Sequence, residues 1–268
     1  MFMYHNLSTE EKARCARDFA EIKTVYAAHA YCMGAQQQRY ELDTYWAQEH
    51  EDLVYAIGND AWAGRAQVYA FYADSVEAAA KKRLENLHAL FPDEVANKAE
   101  NLNIGDLCIR GSNTPYIEVA RDGRTARGIW QSISLTSYLD EQGVPKPYLV
   151  VGKELVEFVR ESAGWKIWHL RIVKDLQWKT HEDLVLNKTR LFRTVGNSGT
   201  MVPATVKLRP FEMEGSYNTR RIPKFAPPLP QYTPTWDEEQ SFCYVLGRLD
   251  ADPDCLPGGA YYVEPEDE

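Results

Sequence analysis

No run of lysine or arginine in this sequence is long enough to build a positive face, and the formal net charge is −9. That balance argues against nucleic acid or an anionic membrane surface as a partner. Cysteine is scarce: Cys15, Cys32, Cys108, Cys243 and Cys255 are odd in number and contain no C-x-x-C pair. A disulfide framework is therefore not expected, and the thiols read as reduced packing residues of a cytoplasmic protein. No stretch of about 18 uninterrupted apolar residues is available to span a bilayer. The first fifteen residues lack a basic segment followed by an apolar one, so no secretory signal is expected. Motifs for common cofactors are missing as well. No G-x-G-x-x-G follows a strand, no G-x-x-x-x-G-K-[ST] loop exists, and G-x-S-x-G is absent. The His-Glu-Asp stretches at His50 and His181 lack the second histidine of H-E-x-x-H, and the six histidines show no ligand spacing. Neither a metal nor a cofactor is expected.

What remains is the composition of a globular protein, 44% hydrophobic and 26% charged, in a chain of 268 residues able to bury a sizeable core. Ser8 with Glu11 three residues on is a capping-box pattern, and it opens a long helix through about Met33. A short helix over Gln38 to Gln48 follows, then a strand in "DLVYAIG", then a long broken helical stretch from Trp62 that Pro92 closes. From about Asn103 the period turns to alternation. Two hairpins are predicted, around Asp122-Gly123 and around Ala163-Gly164. Helices first and a meander of four long antiparallel strands afterwards make an α+β arrangement, with one curved antiparallel sheet wrapped around the first helix. Residues 1–178 form this domain. Residues 179–268 are rich in proline and aromatics, a composition of linkers on the proline count but not on the aromatic one. They read as an ordered arm that packs on its own domain or on a neighbouring subunit.

Candidate chemistry follows from periodicity. At about 100° per residue, Ile22, Tyr26, His29 and Met33 share one stripe of the first helix. A histidine there is either a core group satisfied by a neighbour or an acid-base group facing a cavity. Strand alternation puts Trp165, Ile167, His169, Arg171 and Val173 on one face, where His169 and Arg171 suit a pocket or an oligomer interface equally. Ala126, Gly128, Trp130, Ser132 and Ser134 share a face of the preceding hairpin, leaving room beside Trp130 for a flat ligand or a packed helix. Arg110 could hold a phenolate or carboxylate, or simply be solvated. Asp43 reads as solvent-facing, and of Tyr45, Trp46, Trp62, Tyr69 and Tyr72 one or two should reach a cavity wall.

The phrases "IKTVYAAHAY", "RYELDTYWAQEHEDLVYAIG", "AWAGRAQVYAFYAD" and "LVEFVRESAGWKIWHLRIV", in this order over residues 8–176, resemble the nuclear transport factor 2-like superfamily, SnoaL-like branch. The resemblance implies a cone-shaped α+β barrel enclosing a deep apolar pocket open at one end. It also implies cofactor-free chemistry on hydroxylated rings, as in scytalone dehydratase, bile acid 7α-dehydratase, ketosteroid isomerase, polyketide cyclases and a diarylpropane formaldehyde-lyase. On that basis Tyr26, His29 and His169 are the expected catalytic residues, and Tyr31, Trp46, Arg110, Trp130 and Arg171 the expected substrate contacts. The expected activity is a lyase that eliminates water from an apolar aromatic or polycyclic alcohol, with or without carbon–carbon cleavage and loss of formaldehyde. An isomerase or cyclase of the ketosteroid isomerase type and a non-catalytic binding module are the alternatives. Many relatives carry Asp where this chain has Tyr31, which counts against the isomerase. Tyr31 itself reaches the pocket only if the helix unwinds before Gly34. A homo-oligomer, dimer or trimer, is expected.

Overall fold

The computed structural model describes residues 7–90, 102–140, 142–179, 202–211, 225, 227–250 and 261–262. Helix α1 (Thr9–Gly34) starts at the foreseen capping box: the Ser8 hydroxyl accepts from the Glu11 amide while the Glu11 carboxylate accepts from the Ser8 amide. Its buried stripe is Asp18, Ile22, Tyr26, His29 and Cys32, the 3.6-residue period read from sequence. Helix α2 (Gln38–Tyr45) stops short of Gln48, and it buries Gln38, Glu41 and Leu42.

Strand β1 (Val54–Ile57) is followed directly by β2 (Asp60–Ala63), so "AWA" is a strand rather than the start of a helix. The helical stretch begins only after Gly64. It runs through α3 (Arg65–Tyr69), a π-helical turn (Ala70–Asp74) that buries Tyr72, and α4 (Ser75–Leu90). Pro92 lies outside the described residues. The four long strands are β3 (Leu107–Val119), β4 (Thr125–Leu139), β5 (Pro145–Glu161) and β6 (Gly164–Lys179). Both foreseen turns hold: Gly123 and Gly164 have φ of 68° and 105°, conformations that side chains rarely adopt.

With β7 (Val206–Leu208), β8 (Val245–Asp250) and β9 (Tyr261–Tyr262) the sheet runs β3-β4-β5-β6-β1-β2-β7-β8-β9. It departs from the expected purely antiparallel sheet at one pairing, because β1 lies parallel to β6. α1 packs against β3 and β6 and fills the concave side. There Ile22 and Tyr26 meet Trp46, Tyr55, Tyr72, Trp130, Phe158 and Leu170 in the main core. On the convex side, Cys243 packs with Val54, Ala56 and Ala61, and Phe242 with Ile129, Leu155 and Val173. Described residues beyond 201 thus form a second layer over the back of the sheet.

Candidate active site

Two carboxylates are fully buried between α1 and the sheet, and every sequence-selected residue of the concave side is tied to one of them. Glu41, from α2, holds the first group. Its Oε1 lies 2.8 Å from His29 Nδ1 and accepts from Trp46 Nε1 at 2.8 Å, while its Oε2 accepts from the Tyr72 hydroxyl at 2.7 Å. Glu41 and His29 are both 0% exposed. With two other donors on the same carboxylate, the consistent assignment places the ring proton of neutral His29 on Nδ1. Nε2 is left buried, with no hydrogen-bond partner. A buried polar atom without a partner is rare and costs about 1–3 kcal/mol, so it points to a ligand or a reaction.

Glu154, from β5, holds the second group. It accepts from the hydroxyls of Tyr26 (2.5 Å), Ser112 (2.6 Å) and Ser132 (2.8 Å), and Arg110 Nε stands 2.7 Å from its Oε1. Burial alone would raise its pKa, but Arg110, His29 and the Ser112 and Tyr26 hydroxyls together hold it down to about 2. Glu154 is therefore a fixed anion rather than a proton carrier. Burial and the neighbouring Glu154 push the Tyr26 hydroxyl well above its ordinary value, so it stays a donor. Arg110 Nη1 is buried without a hydrogen-bond partner, like His29 Nε2.

Aromatic rings enclose both groups. Tyr26 stacks on His29 with centroids 5.1 Å apart and lies 4.1 Å from Trp130, whose ring covers Gly128. Tyr55 stands 4.7 Å from Tyr72. Neither carboxylate accepts from the Tyr55 hydroxyl, which burial pushes far above its usual range and Arg110 draws back. Instead of a single deep open pocket, these rings occupy the axis of the cone. Two small cavities, of about 10 and 20 Å³, lie beside the β3–β4 turn and the start of α1.

Tyr26, His29, Trp46, Arg110 and Trp130 are thus brought together. Tyr31 is not: α1 stays regular to Gly34, and Tyr31 is 82% exposed. His169 and Arg171 lie on the convex face. Trp168 is an extra residue at a bulge, where Glu157 pairs with His169 but Phe158 with Ile167. The bulge reverses the alternation, so Trp165 and Ile167 face α1 while His169 and Arg171 face the C-terminal layer. His169 Nδ1 lies 2.5 Å from Glu157, which also accepts from Ser241 Oγ and the Phe242 amide. Arg171 donates to the carbonyls of Gly58, Arg209 and Phe242. Their surroundings are those of a clasp on the arm. Asp43 is exposed as expected and accepts from Tyr69.

Glu41, Glu154 and Tyr55 were not singled out from sequence. A signal existed for Glu41, which shares the i, i+3, i+4 stripe of α2 with Gln38 and Leu42. Among the described residues, no group of three His, Cys, Asp or Glu side chains could hold a metal ion, and no helix is long and apolar enough to cross a membrane.

A family model described as a SnoaL-like domain matches residues 14–171. No curated protein matches. Among solved structures, a putative scytalone dehydratase from Novosphingobium aromaticivorans is similar at 12% identity and a TM-score of 0.43, over 65% of this chain and 94% of that one. LinA is similar at 13% identity and 0.45, over 65% and 96%. A hexachlorocyclohexane dehydrochlorinase, LinA-type3 from Novosphingobium barchaimii, is similar at 13% and 0.43, over 64% and 96%.

Proposed function

Because the chain belongs to the SnoaL-like domain family, whose model covers more than half of it, we propose that it is a cofactor-independent lyase. Its substrate is a hydroxylated aromatic or polycyclic small molecule, from which it eliminates water by acid-base chemistry. The observation that carries this reading is the orphaned Nε2 of His29, buried in the cone while Glu41 fixes Nδ1.

In the proposed reaction His29 Nε2 takes a proton from the substrate, and the released electron pair forms the new double bond. The hydroxyl on the adjacent carbon departs with the proton that His29 returns to it, so the products are the alkene and water and the enzyme is unchanged. Arg110 Nη1 and the Tyr55 hydroxyl hold the ring or carbonyl oxygen on which negative charge gathers. Glu41 acts through His29, by fixing its tautomer and orientation. Trp46 and Trp130 are walls, and a ring-sized substrate enters as the stack of Tyr26, Tyr55, Tyr72 and Trp130 opens. For a para-hydroxylated benzylic alcohol bearing a hydroxymethyl group, the same base serves carbon–carbon cleavage with loss of formaldehyde.

The isomerase alternative requires a carboxylate base. Two buried carboxylates are present after all, but Glu154 is saturated with donors and Glu41 is engaged by three side chains, which favours His29 as the base.

The test is a panel of para-hydroxylated benzylic and diaryl alcohols, followed by the absorbance of the new conjugated double bond and by formaldehyde release. A general base contributes about 10²–10⁴-fold, so His29→Ala should lose that much of kcat while Tyr55→Phe loses less. Turnover equal to the parent in a folded His29→Ala variant contradicts the reading.

A further inference from the structure

Beyond Glu154, toward the C-terminal end of β4, the concave wall changes from aromatic to polar. One cross-strand row is Ser112, Ser132, Gly152 and Lys174; the next is Arg110, Ser134, Val150 and Gln177. Arg110 spends its Nε on Glu154, and its side chain is 10% exposed, yet Nη1 finds no hydrogen-bond partner. Directly opposite Arg110 in register stands the buried Ser134. Lys174 lies two residues beyond the core residue Ile172 on the same face and donates to Gln177 at 3.3 Å. Burial and the charge of Arg110 together push its amine down to about 8. Two cations that repel each other on one wall, in a chain of net charge −9, are relieved by an anion between them.

We propose that Arg110 Nη1, Ser134 and Lys174 form a carboxylate-binding subsite, so that the substrate is an aromatic or polycyclic acid rather than a neutral alcohol. This rests on the reading of the concave interior as the substrate site. The carboxylate lies between guanidinium and ammonium, where hydrogen bonds to charged donors are stronger than those between neutral groups. The ring system then extends past Glu154 toward Tyr55, Trp130 and His29.

The test is calorimetric binding to the full chain of benzoate, cinnamate and biphenyl-4-carboxylate, each beside its methyl ester. At least one acid should bind about tenfold tighter than its ester. Lys174→Met and Lys174→Gln, checked for folding by circular dichroism, should erase most of that preference and leave ester binding as it was. Equal binding of acid and ester overturns the subsite. So does a preference that survives both substitutions, a loss that falls equally on acid and ester, or no acid binding up to about 10 mM. Failure here is distinguishable from failure of the lyase reading: His29→Ala should keep the acid preference whether or not His29 is the base.

Discussion

Glu154 is enclosed by Arg110 and by the hydroxyls of Tyr26, Ser112 and Ser132, and its pKa is held near 2. The pKa of this carboxylate is lower in the folded state than in the unfolded chain. Its contribution to stability is therefore complete above the ordinary carboxylate range and lost as pH falls through about 2. Acid titration followed by circular dichroism should show stability declining over this window in the parent. The decline should be much shallower in a double variant, Arg110→Met with Glu154→Met. Breaking the pair on one side leaves a buried charge uncompensated, so Glu154→Met alone should cost about 3–5 kcal/mol in urea unfolding, whereas the double variant returns most of it. If the two single losses simply add in the double variant, the ion pair is not the unit described. Lys174 behaves oppositely. Its amine is pushed down to about 8, so burial penalises the charged form below that pH. Lys174→Met should accordingly raise the thermal midpoint at pH 7, and an unchanged or lowered midpoint contradicts this.

At the scale of elements, Gly128 in β4 shows how the wall of the site is made. A Cβ at this position would meet the Trp130 ring at 2.3 Å, so the indole lies flat against the strand only because residue 128 has no side chain. Gly128→Ala should displace Trp130 and destabilise the fold by about 1–3 kcal/mol in denaturant titration, as overpacking does. A neutral result would mean that the ring does not rest there. Elements with strong local signals were legible in the sequence: the capping box of α1, its buried stripe, and both glycine turns of the meander. What escaped were non-local effects. β2 is only four residues long, and its extended form depends on pairing with β1 and β7. The bulge at Trp168 depends on how β6 meets β5, and strict alternation cannot reveal it, so His169 and Arg171 were grouped with the wrong neighbours. Glu154 looked like one polar residue in a strand; its importance appears only when the α1 and β3 side chains converge on it.

For the whole molecule, the sheet carries a site on its concave face and a clasped layer on its convex face. Glu157, Arg127 and Arg171 hold that layer through Phe242, Ser241, Gln240 and Gln231. Ending the chain at residue 201 would uncover Val54, Ala56, Leu155 and Val173 and strip partners from three buried charged side chains, each unpaired group costing about 1–3 kcal/mol. The shortened chain should melt well below the parent or aggregate, and an unchanged melting temperature would show that the layer does not support the sheet.

The central claim is that His29 is a base with its Nε2 bare and its Nδ1 proton directed at Glu41. Long-range nitrogen–proton correlation spectra of the protein labelled with ¹⁵N-histidine read that tautomer without any substrate. The account predicts that neutral His29 carries its proton on Nδ1, and that Glu41→Gln redistributes it toward Nε2. A neutral ring protonated at Nε2 in the parent, with Nδ1 bare, contradicts the account.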